Sequence, residues 1–537
     1  MIDAQKTLGR AARALSFVAA LLSGGCKCSP EAASVPPKSP TIRLYLVSSA
    51  AGALEPCGCV KDMLGGVDHL AAFVKSQNDD ARASLMLGAG PLFFMNTELV
   101  DDRRTQESWK ADALSRALGV AGLRAWAPGA NDWAAGSDTF AALAGVAGAT
   151  PLAANLSGAT NTLPIRTFDV GGYKVGVAGV SEPSLHGKLP AGVTSLGARD
   201  VDAVTSAKAQ LDTAGARVRV LLAAMPRGDA LRLTDKVPGF QLLVIGKPFD
   251  QGETNDLPTP PELVGKTLVV EAPNHLQAVA IVDFFVRGDG FDFADGSNLA
   301  GEAERESLGA RIHELEARLA AAKQSGKEQD PDVRARSRDL DNLRGQLKAL
   351  EKPRTPVQGS FFQYRLVDVR DNLGSEPTAH ALIDGYYKRV NEHNRDAFKD
   401  KLPVPAAAGE ASYAGIEVCS KCHTSERRFW DSTQHAHAYV TLSSQNKEFN
   451  LDCVGCHVTG YDRPGGTNVT HVENLKDVQC ETCHGAGSKH VASPREAKLG
   501  FPEQTLCAGN CHHPPHVKPN WDVTEAWKKI IGTGHGL

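Results

Sequence analysis

Eight of the twelve cysteines and eleven of the seventeen histidines in this 537-residue chain fall within residues 413–537. No other feature restricts the possible folds as much. Evenly spread cysteines would point to disulfides or incidental core thiols, whereas cysteines clustered with histidines point to a metal or haem region. The other four cysteines form two tight pairs, Cys26/Cys28 and Cys57/Cys59.

Within the cluster, Cys419/Cys422/His423, Cys453/Cys456/His457 and Cys480/Cys483/His484 each read Cys-x-x-Cys-His. Two thiols one helical turn apart can form thioethers with the two vinyl groups of a haem, and the adjacent His reaches the iron from the same turn. Zinc sites also use Cys-x-x-Cys pairs, but a zinc ribbon has no need of a His after every pair. A fourth site, Cys507/Cys511/His512, carries three intervening residues instead of two. It reads as a fourth haem site with a stretched loop, or as a disulfide or relic. All five Met lie outside this region, so none within it can serve as an axial ligand. Seven further histidines remain there: His435, His437, His471, His490, His513, His516 and His535. Bis-His ligation or an open iron position follows, without the Met that raises haem potentials.

The rest of the chain sets the context. A net charge of −4 with no long basic run argues against a dedicated nucleic-acid binder, and 22% charged with 42% hydrophobic residues argues against wholesale disorder. At about 100–200 residues per domain, two to four domains are expected. Residues 1–25 read as an export signal: Lys6, Arg10 and Arg13 precede a short apolar stretch from Ala14 to Leu22 and the small residues Ser23, Gly24 and Gly25. The Leu-Ser-Gly-Gly-Cys ending resembles a bacterial lipobox, with Cys26 as the lipidated residue; an ordinary cleaved signal is the alternative. Residues 26–40 then read as a Pro-rich tether. With either kind of signal the protein is expected outside the cytoplasm, periplasmic or at the cell surface.

From 41 to about 300, short apolar runs (TIRLYLV, ASLMLGA, KVGVAGV, RVRVLLAA, QLLVIG, AVAIVDFFV) alternate with helix-like stretches such as 67–76 and 106–118. This predicts a layered α/β domain. Residues 301–352 carry two narrow leucine stripes, Leu308/Ile312/Leu315/Leu319 and Leu340/Leu343/Leu347/Leu350, and predict a coiled-coil-like helical hairpin. The run SFFQYRLVDV at 360–369 predicts a strand paired with AVAIVDFFV, making the hairpin an insertion. Residues 353–411 supply this return strand, a helix around 378–399 and a linker to the region 412–537. Asp68 and His69 read as ordinary helix surface, and Cys57/Cys59 as a structural turn, a metal site or an exchangeable pair.

Residues 412–537 resemble the tetrahaem cytochrome c-554 family through FWDSTQHAHA, CVGCHVTGYDRPGG, VQCETCHGAGSKH and the near-terminal GHG. The resemblance implies a mostly α domain with four c-type haems and distal ligands at His435, His490 and His535. It also implies that one haem can be five-coordinate. The stretched fourth motif departs from the family pattern. Residues 41–290 resemble the metallophosphoesterase and 5′-nucleotidase family through LYLVSSAAGALEPCGC, LMLGAGPLF, APGANDW, LAANLSG and FQLLVIGKPF. That resemblance implies an α/β sandwich with two metals at strand ends. Here the ligand positions read Ser49/Ala50/Ala51, Pro91, Asn131/Asp132/Trp133, Met225 and Lys247, too few oxygens for such a site.

The expected molecule is therefore multidomain: a metallophosphoesterase-like α/β sandwich with an inserted hairpin, followed by a multihaem cytochrome c domain. It is expected to pass electrons between redox partner proteins, with the α/β unit as scaffold. The alternatives are a multihaem reductase or oxidase of a small nitrogen or sulfur compound, a phosphoesterase with accessory haems, and a binding protein using the α/β cleft and hairpin.

Overall fold

The computed structural model describes residues 39–56, 63–78, 83–159, 161–181, 189–195, 200–249, 255–324, 326, 330–350, 356, 358–513, 517 and 521–532. Cys26, Cys57, Cys59, His516 and His535 lie outside the described residues, as do the signal and most of the tether.

Two mixed sheets stack face to face. The first has seven strands in the order Ala294–Asp295, Phe361–Asp368, Ala278–Phe285, Ile42–Ser48, Ser84–Gly90, Leu123–Pro128, Thr150–Pro151. The second has six, centred on Val218–Ala224 with Tyr173–Ser181 and Leu242–Ile245 parallel on either side. Strands covered on both faces read as continuous apolar runs, and alternate residues divide between two cores. From Ile42–Ser48, Leu44 and Leu46 enter the core between the sheets with Leu87, Val177, Val220, Leu222 and Val244. Tyr45 and Val47 point the other way, under the helices Val67–Gln77, Asp101–Ala121, Ser137–Ala147 and Pro377–Phe398. Helices Asp200–Thr213 and Arg227–Lys236 cover the outer face of the second sheet. The result is a four-layer α-β-β-α sandwich.

Phe361–Asp368 pairs antiparallel with Ala278–Phe285, with Phe285 opposite Phe361 and Ala278 opposite Asp368. The hairpin helices Leu299–Gln324 and Pro331–Leu350 leave and re-enter the same sheet, and bury Leu308, Ile312 and Leu340. Two features depart from the sequence reading. The strand Leu123–Pro128, which no long apolar run announces, lies inside the first sheet, and its Trp126 packs on Phe93 and Phe140. Asp68 is buried rather than on a helix surface: it accepts hydrogen bonds from Ser375 Oγ at 2.6 Å and from His380 Nδ1 at 3.2 Å.

The helix Pro377–Phe398 is part of the sandwich, burying Ala379, Ile383, Tyr386 and Val390 in its core. With Asp101–Ala121 it also forms the cradle for the C-terminal region. Buried Gln106 accepts the Leu451 N–H at 3.0 Å and donates to Asn450 Oδ1 at 3.3 Å. Buried Asn394 donates to Gln106 Oε1 at 3.0 Å and to Phe449 O at 2.9 Å, while Asn391 accepts the Phe449 N–H at 3.0 Å. Around this dock, Arg103 and Lys110 pair with Asp452, and Lys447 with Glu55. The segment immediately before Cys453 is thereby fixed to the α/β unit.

Candidate functional site: a cysteine–histidine cluster

Each motif sits on a short helical turn: Ile416–Cys419, Val454–His457, Cys480–His484 and Thr505–Asn510. Residues three apart on a helix share a face, so the two thiols of a Cys-x-x-Cys pair present together. In the first motif the His423 N–H closes on Cys419 O at 3.0 Å. In the fourth, the His512 N–H closes on Cys507 O at 2.8 Å. The extra residue is absorbed by a wider turn, and the His still returns to the carbonyl of the first cysteine.

The motifs approach one another in pairs. Cys419 and Cys480 are hydrogen-bond neighbours, as are Cys456 and Cys511, and Cys483 lies near Cys507. Contact with Cys480, then burial, pushes the Cys419 thiol up; burial first, then Cys507, pushes Cys483 up to about 11. Glu481 and Gln479, which flank Cys480, tie the first and third motifs together. Buried Glu481 accepts the N–H groups of Ala414, Gly415 and Gly487, and Gln479 Oε1 accepts the Ile416 N–H at 2.7 Å. Neither is legible in the sequence, because a spacer inside Cys-x-x-Cys and the residue just before the motif carry no signal of their own.

The histidines decide which group fits. The His423 and His490 ring centroids lie 6.2 Å apart, and those of His435 and His512 also 6.2 Å. A metal–imidazole bond is about 2.0–2.1 Å, and the ring centre lies roughly 1 Å behind the nitrogen. Two rings facing across one ion are therefore separated by about 6 Å. Nδ1–H of His457 donates to Ala438 O at 2.5 Å, that of His484 to Gly500 O at 2.9 Å and that of His490 to Ala497 O at 2.9 Å. A carbonyl can only accept, so Nδ1 carries the proton and Nε2 is left as the metal-binding nitrogen. Burial, and then His512, pushes His435 down, favouring the neutral imidazole that a metal binds. Among the described residues no three His, Cys, Asp or Glu side chains converge on a single ion. The spacing of each histidine pair fits an iron held between two imidazoles. His471 Nε2 donates to Lys399 O at 2.9 Å, tying this ring to the end of the helix Pro377–Phe398. A cavity of about 610 Å³ beside the second motif is lined by His437, Tyr439, Val440, Glu448, Phe449 and Lys476 among others.

Residues 418–485 match the family model for cytochrome c554 and c-prime. The C-terminal region carries a cytochrome c554 domain, and that family indicates c-type haem binding. Cytochrome c-554 of Nitrosomonas europaea is 31% identical over 110 residues, covering 18% of this chain and 47% of the relative. The chain thus spans about half the length of that curated relative. Over the N-terminal region, the 5′-nucleotidase precursor of Thermus thermophilus is similar with a TM-score of 0.45 at 16% identity, covering 70% of this chain and 62% of the other. A sulfate thiohydrolase of Thermus thermophilus gives 0.42 at 15%, covering 82% and 74%.

At the strand ends where the phosphoesterase resemblance would place metals, side chains are already engaged. Asp132 is fully buried and accepts the N–H groups of Leu92, Phe93, Trp126 and Gly129; burial pushes its carboxyl up to about 6. Asn131 donates to Met95 O at 2.6 Å and to Phe249 O at 3.1 Å. Lys247 pairs with Asp256 at 2.6 Å, and Ser49 Oγ donates to Lys247 O at 2.7 Å. The two sheets also touch here backbone to backbone: a Cβ at Gly246 would come within 2.0 Å of Ala89.

Proposed function

We propose that the protein is an exported multihaem c-type cytochrome that passes single electrons between redox partner proteins. The observation that carries this reading is the pair of His–His spacings of 6.2 Å, each joining one motif histidine to a distant one. Four haems are attached at Cys419/Cys422, Cys453/Cys456, Cys480/Cys483 and Cys507/Cys511, with His423, His457, His484 and His512 as proximal ligands. His490 is the distal ligand opposite His423, His435 is opposite His512, and His535 is the third distal candidate. When bound, the haems supply one-electron iron chemistry. The thiol contacts order the motifs first–third–fourth–second, and haems held by these cysteines would follow the same order. Backbone carbonyls of the chain aim the His457, His484 and His490 rings.

In this reading the α/β unit is a scaffold without phosphoesterase catalysis. Asp132 and Asn131 are spent on backbone groups, Lys247 puts a cation where metals would lie, and the Gly246 approach closes the crevice. Cys26 would anchor the chain to a membrane through lipid, and Cys26→Ser should move it to the soluble fraction.

A second reading, a reductase or oxidase of a small nitrogen or sulfur compound, draws on the cavity beside the second motif. Its signature is a high-spin haem that binds nitrite, nitric oxide or hydroxylamine. The primary test is His490→Ala in the haem-loaded protein. One low-spin haem should become high-spin and ligand-accessible; an unchanged spectrum would sink the His423–His490 assignment.

A further inference from the structure

We propose that Trp521 is a positioning residue for the fourth haem: its stacked indole fixes the rotation of the His512 imidazole about the iron–nitrogen bond. The inference rests on the fourth-haem reading above and adds what sets that haem's ligand geometry. The Trp521 and His512 rings stack with centroids 5.0 Å apart and planes only 10° from parallel. The same imidazole stands 6.2 Å from His435 with 49° between the two planes. Offset parallel stacking at this separation is a favoured aromatic geometry, and rotation of His512 about its axis would break it.

The stack is built into the helix framework. Asp522, the next residue, caps the helix Val523–Ile530 by accepting the N–H groups of Thr524 at 2.8 Å and Glu525 at 3.2 Å. Thr524 Oγ1 bonds Gln504 Oε1 at 3.4 Å, and Gln504 precedes the helix Thr505–Asn510 that carries Cys507. Trp521 is thus tied to the start of the helix that bears the motif. A fixed neighbour matters most here, because the wider turn between Cys507 and His512 holds the histidine by a longer loop than in the other motifs. At His457, His484 and His490 a backbone carbonyl contacts the ring; at His512 an aromatic plane is stacked on it. Groups that orient a ligand tune its metal as well as hold it.

In a ferric low-spin haem with two imidazoles, the angle between the ligand planes sets the splitting of the iron d orbitals, and hence the shape of the electron paramagnetic resonance signal. Near-parallel rings give a rhombic signal, and near-perpendicular rings a single large g value. The test compares haem-loaded wild type, Trp521→Phe and Trp521→Leu. The line of the fourth haem is identified by its loss in Cys507→Ser/Cys511→Ser. Phe keeps an aromatic plane and should preserve the line; Leu fills volume without a plane and should shift or broaden it at unchanged haem content. A Leu variant that loses the fourth haem while Phe keeps it also supports the stack. Identical lines in wild type, Phe and Leu would overturn the proposal while leaving the fourth haem intact. Three haems in the wild type would overturn both the proposal and the reading beneath it.

Discussion

The two halves of this chain are held together by different means. The α/β sandwich contains three large apolar clusters, two of them meeting at the fully buried strands of the first sheet. Among the described residues the C-terminal region has one, consisting of Tyr439, Val454, Val458 and Val472 with Tyr461 packed beside it, while Ile416, Leu442, Val469, Leu475 and Val517 are buried outside it. These nine buried side chains among the described residues are far too little apolar burial to offset the ordering entropy of more than 100 residues. What they lack must come from elsewhere. Covalent haems provide large apolar faces, and the hydrogen-bonded dock at Gln106 and Asn394 provides a rigid wall. One half folds on its side chains; in the proposed reading the other would fold around its cofactors and against its neighbour.

The sharpest way to break this comparison is to withhold haem. In a host without c-type maturation, or in Cys480→Ser/Cys483→Ser, residues beyond about 412 should lose protease protection altogether while the sandwich stays resistant. Equal protection of both halves would remove the distinction. Next in size, Trp126→Ala empties the sandwich core and should cost about 3–5 kcal/mol in denaturant unfolding, with the haem absorbance little changed. Asp132→Asn turns an amide nitrogen toward N–H donors and should cost the sandwich about 1–3 kcal/mol. Cutting into the dock with Asn394→Ala takes one of two donors from Gln106 Oε1 and removes the side-chain donor to the Phe449 carbonyl, and should loosen the haem region by about 1–3 kcal/mol, read by hydrogen exchange across 447–457. The smallest effect belongs to Lys110→Ala. Its pair with Asp452 is partly exposed, so about 0–1 kcal/mol and a salt-sensitive change are expected.

How much of this could be read from the sequence differs between the halves. The thioether chemistry fixes the spacing of Cys419, Cys422 and His423, so the motifs stand out without any structure. The buried strands stand out as apolar runs, and the pairing of Phe361–Asp368 with Ala278–Phe285 follows from their pattern. The strand Leu123–Pro128 does not, because Arg124 and the closing Pro128 interrupt its short apolar run. Arg43 and Asp283 lie within apolar runs, and only the register places them opposite one another as a buried ion pair. Asp68 looks like a helix surface residue until Ser375 and His380, more than 300 positions away, close over it. In the haem region the facing of His490 to His423 and of His435 to His512 needs three dimensions, as does the stacking of Trp521. Each joins residues of different short elements, with no periodicity to reveal it.

The central claim is that four covalent haems complete the C-terminal fold. The most direct test is the number of haems per polypeptide, measured by pyridine haemochrome on protein matured with c-type haem attachment. A value near four is predicted. A value near three would leave Cys507 and Cys511 with another role, and a value near zero would contradict the account.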